Sequence, residues 1–75
     1  MIEEAEIARY RCVEDDGSPL TVLEFQRFAI VQTRAGIRRI PGARRLALGS
    51  GEVIQYIDAR TFEVVITGEL LRLID

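Results

Sequence analysis

Residues 53–67 read VIQYIDARTFEVVIT. Ile54 and Tyr56, then Phe62, Val64 and Ile66, alternate with Gln55, Glu63 and Thr67, which is the period of two expected when one face of an extended segment is buried. Between the two apolar sets, Asp58-Ala59-Arg60-Thr61 makes a four-residue turn opened by a carboxylate, whose oxygens accept hydrogen bonds from the backbone amides that follow. The stretch predicts a strand at Val53 to Ile57, a turn, and a strand at Phe62 to Thr67. A break at Gly68-Glu69 then precedes a last strand at Leu71 to Ile74.

Working outward, the chain resembles itself. Sliding it by 34 residues lays Arg11 to Ile40 over Arg45 to Ile74 without a gap, and seven of these thirty positions are identical, among them Gly17/Gly51, Phe28/Phe62 and Thr33/Thr67. Background usage gives about two matches. The first unit then carries a strand at Arg9 to Glu14, a glycine turn and a strand at Pro19 to Leu23. A turn at Glu24-Phe25-Gln26-Arg27 follows, with strands at Phe28 to Thr33 and Ile37 to Ile40. The second unit opens with a strand at Arg45 to Leu48. Ser18-Pro19 also has the form of a helix start, but the apolar residues from Leu20 to Val31 scatter around a helical circumference and leave no stripe to bury. The expectation is an all-β single domain over 1–75, a small barrel or sandwich of two duplicated antiparallel meanders, 11–40 and 45–74. Pro41-Gly42 would join them about a pseudo-two-fold axis that buries both Phe28 and Phe62. Residues 1–8 fall outside the repeat and read as a short helix or a frayed tail.

Composition limits the chemistry. Seventy-five residues, 48% apolar and 29% charged with a net charge of −2, describe one small globular domain with little room for a deep enclosed cavity beside its core. There is no histidine to act as a base or complete a zinc site, and the single cysteine, Cys12, aligns with Leu46 in the repeat and reads as a buried apolar residue. Ser18 and Ser50 lack an activating histidine, and Gly49-Ser50-Gly51 reads as a tight turn. Glu24 and Asp58 occupy equivalent positions, which invites an acid/base pair, yet two turn-opening carboxylates explain them as well. Glu3-Glu4-Glu6 and Asp15-Asp16 lack the spacing of an oxygen-ligand metal loop. No enzyme activity, cofactor or metal is expected. Neither a membrane-length apolar run nor a basic leader is present, so the expected setting is the cytoplasm.

Charge is the most uneven feature. Residues 1–24 carry −5, residues 25–51 carry +6 with no acid, and residues 52–75 carry −3. An arginine-only centre suits carboxylate or phosphate recognition, because the guanidinium fork is permanently charged and bidentate. The acidic flanks can equally neutralise it, within the fold or between subunits. Where the first unit departs from the second toward large or cationic groups, turning the chain and filling the core do not account for the residue. Phe25 stands against Ala59, Arg27 against Thr61, Arg34 against Gly68 and Arg39 against Leu73. The candidate partner-binding residues are therefore Phe25, Arg27, Arg34, Arg38, Arg39, Arg44 and Arg45. Phe25 reads either as an exposed anchor or as a cover over an open core edge. The expected function is a non-catalytic module that binds a protein partner or self-associates as a homodimer; the alternative is nucleic-acid binding through the arginine-rich segment 34–45.

Within 46–71, a glycine turn at Gly51, the run Asp58-x-x-Thr61-Phe62-Glu63-Val64 and the triplet Thr67-Gly68-Glu69 resemble a pattern in short uncharacterised bacterial all-β proteins. The resemblance covers the second unit only and implies strands and turns, with no activity attached.

Overall fold

The computed structural model describes residues 1–74. Six strands follow in order: β1 (Ile2–Val13), β2 (Pro19–Thr33), β3 (Gly36–Leu48), β4 (Val53–Asp58), β5 (Thr61–Val64) and β6 (Leu70–Leu73). Each pairs antiparallel with the next, and β6 returns to β1 through Cys12↔Leu73 and Val13↔Arg72, closing a six-stranded antiparallel barrel. The protein is all-β, and of the two expected architectures it is the barrel. None of its described residues forms a helix that is long and apolar enough to cross a membrane.

The barrel is filled by Cys12, Val22, Ile54, Phe62, Val64 and Leu71, with Tyr10, Leu20, Leu46, Leu48 and Leu73 packed around them. Phe62, 4% exposed, is the centre: the Tyr10 ring lies 5.6 Å from it and the Tyr56 ring meets it edge-on at 6.2 Å. The alternation read over 53–67 thus places Ile54, Phe62 and Val64 inside. Tyr56 covers Phe62 from the rim, and Ile66 falls in the β5–β6 turn and is 85% exposed. Cys12 is fully buried, and that burial raises its thiol above the ordinary value.

Two turns repeat their hydrogen bonds at the 34-residue offset. Gly17 N–H donates to Glu14 O at 2.9 Å and Glu14 N–H to Ser18 O at 2.9 Å, while Gly51 N–H donates to Leu48 O at 2.8 Å and Leu48 N–H to Glu52 O at 3.0 Å. Both glycines need positive φ, 86° and 96°. Thr33 Oγ1 accepts from Ala35 N–H, and Thr67 Oγ1 from Glu69 N–H, each at 3.2 Å.

The strands between these turns differ. Asp58 Oδ1 accepts from Arg60 N–H at 2.9 Å and opens the expected hairpin, in which Asp58 pairs with Thr61. At the equivalent place Glu24-Phe25-Gln26-Arg27 makes no turn: β2 runs straight through it, because the segment has no Gly, Pro, Asn or Asp and is flanked by strands on both sides. Pro41-Gly42 is likewise no joint but lies inside β3, at a bulge where two residues oppose Arg27; a Cβ on Gly42 would approach the Arg27 carbonyl oxygen to 3.4 Å. Residues 2–8 are strand rather than helix or tail, with β2 as their partner overriding the helical preference of Glu and Ala. Phe28 lies half-buried outside the core and does not mirror Phe62.

The consequence is an elongated shape. Only the ends of β1 and β3 and the start of β2 belong to the barrel. Their remainders, Ile2–Glu6, Phe25–Thr33 and Gly36–Arg45, form a three-stranded arm with β2 in the middle. The principal extents are 54 × 25 × 20 Å.

Candidate interaction surface on the arm

Residues paired directly across strands share a face, so the register assigns the arm's side chains. On the face continuous with the barrel interior lie Glu3, Phe28 and Pro41 in one row and Ile30 and Arg39 in the next. The Arg39 guanidinium sits 4.1 Å above the Phe28 ring and pairs with Glu3. The opposite face repeats the device with Glu6, Phe25 and Arg45 in a row. Arg45 lies 4.5 Å above the Phe25 ring and donates to both carboxylate oxygens of Glu4, at 2.6 and 2.9 Å. Arg27 reaches the same carboxylate at 3.7 Å.

Each face therefore carries a bridge from β1 to β3 that passes over a phenylalanine of the central strand. Both bridges lie at the surface, where water screens cation–π contacts and ion pairs alike, so they hold the outer strands modestly. The bidentate bond from Arg45, the first of several causes, lowers the Glu4 carboxyl below its ordinary range. At the neck between barrel and arm, Tyr10 donates its hydroxyl to Glu24 at 2.6 Å, and Arg44 lies 3.8 Å from the other Glu24 oxygen. That hydrogen bond, then burial and the Glu24 charge, raises the Tyr10 phenol. Glu24 is thus a mid-strand acceptor and not a turn-opener like Asp58.

All seven candidate residues fall on the arm or its neck. Phe25 is neither an exposed anchor nor a cover over the core edge: it is half-buried beneath Arg45 on a strand face. Arg27, Arg39, Arg44 and Arg45 are each held near a carboxylate of β1 or β2. Arg34, in the β2–β3 turn at the tip, and Arg38, on β3, carry exposed side chains without an ion pair among the described residues. Sequence reasoning missed Glu3, Glu4 and Phe28. The available signal was the acidic cluster of 1–8 facing an arginine-only segment, but residues excluded from the repeat had no assigned partner strand. It also missed the exposed isoleucines Ile2, Ile37 and Ile40 along the arm.

At the other end of the molecule a groove of about 470 Å³ has an apolar floor of Leu20, Leu48 and Val64 and a rim that includes Glu14, Glu52 and Glu69. Burial, with the nearby charges of Glu69 and Asp16, raises the Glu14 carboxyl. The described residues include no group of side chains able to hold a metal ion. The chain matches no protein-family model, and no curated protein or solved structure is measurably similar to it.

Proposed function

We propose that the chain is a non-catalytic interaction module, working in a bacterial cytoplasm, that offers its three-stranded arm to a protein partner through Phe25, Arg27, Arg34, Arg38, Arg39, Arg44 and Arg45. One observation carries the reading: along the arm no described residue pairs with the free sides of the two outer strands, and isoleucines are exposed there. Unpaired strand edges are templates for another strand. In this reading Phe25 and Phe28, stiffened by Arg45 and Arg39, keep the arm flat enough to pair, while Arg34 and Arg38 meet carboxylates of the partner. The pairing of four neighbouring arginines with glutamates speaks against a phosphate-binding surface, which would keep them available.

Capture from the source cell, with the intact chain and with a chain carrying Arg34→Ala and Arg38→Ala, tests the proposal alongside titration with a random-sequence oligonucleotide. The expected result is a protein retained by the intact chain, retained less by the variant, and weakened in its binding by about 1 M salt only as far as by the loss of the two arginines, because backbone pairing and apolar contact are not screened. Tight oligonucleotide binding that falls steeply with salt, together with no protein captured, would overturn it in favour of nucleic-acid binding.

A further inference from the structure

Resting on the interaction-module reading for Arg34 and Arg38, we infer that the carboxylates they meet belong to a second copy of this chain: the tip of one arm seats in the groove at the barrel end of the next copy. The groove is built by the barrel itself. Consecutive antiparallel strands bring the β1–β2, β3–β4 and β5–β6 turns to one end, and each turn contributes one glutamate to the rim, Glu14, Glu52 and Glu69. None of the three is in an ion pair among the described residues, and the Ser50 hydroxyl that donates to Glu52 at 2.9 Å brings no charge. Arg72 lines a neighbouring depression with Glu14 and Asp15 and offsets part of the negative charge. Below the rim lie Leu20, Leu48 and Val64, and beside Glu52 the surface continues into Val53, Val65 and Ile66, all exposed. At about 470 Å³ the groove falls within the range of about 300–1,000 Å³ usual for binding pockets, and the mouth of a β-barrel is a common place for one.

The arm tip supplies the complement. There β2 and β3 join through Arg34-Ala35, so the tip is a hairpin only two strands wide, with the strands about 4.8 Å apart. Arg27, Arg39, Arg44 and Arg45 are held by Glu4, Glu3 and Glu24, whereas Arg34 and Arg38 are in no ion pair among the described residues. Between these two in the chain stands Ile37, 70% exposed. An apolar side chain flanked by two available cations thus matches an apolar floor rimmed by three available carboxylates. The contact draws on none of the glutamates and arginines already paired along the arm. Position makes the groove another copy's. Tip and groove lie at opposite ends of a molecule 54 Å long, so a chain cannot fill its own groove. Such a contact is heterologous: it leaves a free tip on one copy and a free groove on the other, and therefore repeats head to tail.

Sedimentation of the full chain at low salt, from micromolar to near-millimolar concentration, tests the inference with two double variants. One carries Arg34→Ala and Arg38→Ala at the tip, the other Glu52→Ala and Glu69→Ala at the groove. None of the four residues belongs to the barrel core or to the bridges over Phe25 and Phe28, so the fold is kept, as circular dichroism checks. The natural chain should form a concentration-dependent series in steps of 8.5 kDa that runs past the dimer, and each variant alone should associate about tenfold more weakly or less. Mixed, the two variants should pair as tightly as the natural chain yet stop at twice 8.5 kDa, because only one natural tip and one natural groove remain to meet. A natural chain that stops at a dimer, a series indifferent to both variants, or a mixture that does not recover overturns the tip-in-groove contact. A monomer at every concentration that still captures another protein through Arg34 and Arg38 overturns the second copy alone, and a monomer that captures nothing overturns the interaction-module reading with it.

Discussion

Phe28 and Phe62 are the same residue at equivalent places in the sequence, yet they do different work. Phe62 fills the barrel among Cys12, Val22, Ile54, Val64 and Leu71, whereas Phe28 lies under Arg39 on an arm face. Phe62→Ala should cost about 3–5 kcal/mol, the range for emptying a packed aromatic site; Phe28→Ala should cost less, about 1–2 kcal/mol, because only part of its surface is removed from water. Urea unfolding of the two variants checks the difference, and equal losses would mean that the arm is packed as firmly as the barrel. The carboxylates respond to pH in opposite senses. Glu4, held by Arg45, and Asp16 and Asp58, each held first by a backbone N–H, have lowered pKa values. Folding is stabilised by them above the ordinary carboxylate range, about pH 4, and that stability is lost as pH falls through their folded values. Glu14 is raised, so the folded state binds its proton more readily and gains stability as pH falls through its titration. A carboxyl-detected titration should find Glu14 above the ordinary range and the other three below it. Glu14→Gln should remove the small rise in stability that precedes acid unfolding.

At the scale of elements, what could be read in the sequence depended on whether a turn carried its own chemistry. Gly17, Gly51 and Asp58 supply positive φ or a side-chain acceptor locally, and each marks a real turn. Glu24-Phe25-Gln26-Arg27 occupies the place of Asp58-Ala59-Arg60-Thr61 in the repeat but has none of that chemistry, so β2 passes through it. The arm followed from this difference: an uninterrupted β2 carries β1 and β3 out with it. The arginine-rich segment was legible as charge, but which arginine meets which glutamate depends on the registers of three strands and on the bulges after Glu6 and at Gly42, and none of these leaves a local mark. The turn glycines give a direct check. Nothing lies within 4 Å of a Cβ built on Gly17 or Gly51, so Gly17→Ala and Gly51→Ala should each destabilise by about 1–2 kcal/mol through left-handed backbone strain alone. Thermal unfolding with unchanged strand content would show it, and a neutral outcome at either site would mean that its turn rearranges.

The whole molecule is longer than its chain length requires. A compact domain of 75 residues has a radius of gyration of about 11 Å, whereas the Cα atoms here give 15.3 Å. The difference arises because Ile2–Glu6, Phe25–Thr33 and Gly36–Arg45 stand clear of the barrel core, with nothing but one another for support. Past Ile30, whose N–H donates to Met1 O at 2.8 Å, β2 and β3 continue as a two-stranded tip to Thr33 and Gly36. An isolated two-stranded ribbon is marginal in water, so stability should be graded along the long axis. Native-state hydrogen exchange should find the amides of Val31 to Thr33 and Gly36 to Arg38 opening at a small fraction of the global free energy, and those of Val22, Ile54 and Phe62 only at the global value. Small-angle scattering of a dilute sample, kept below the concentration of any self-association, reads the shape itself. An extended arm should give a radius of gyration near that of the Cα trace, with a long tail in the distance distribution reaching the 54 Å extent. An arm folded back on the barrel would shorten both and would hide the edges of β1 and β3. The two measurements check each other: slow exchange at the tip combined with a radius near about 11 Å would mean that the barrel covers the arm, and the arm would then be unavailable to any partner.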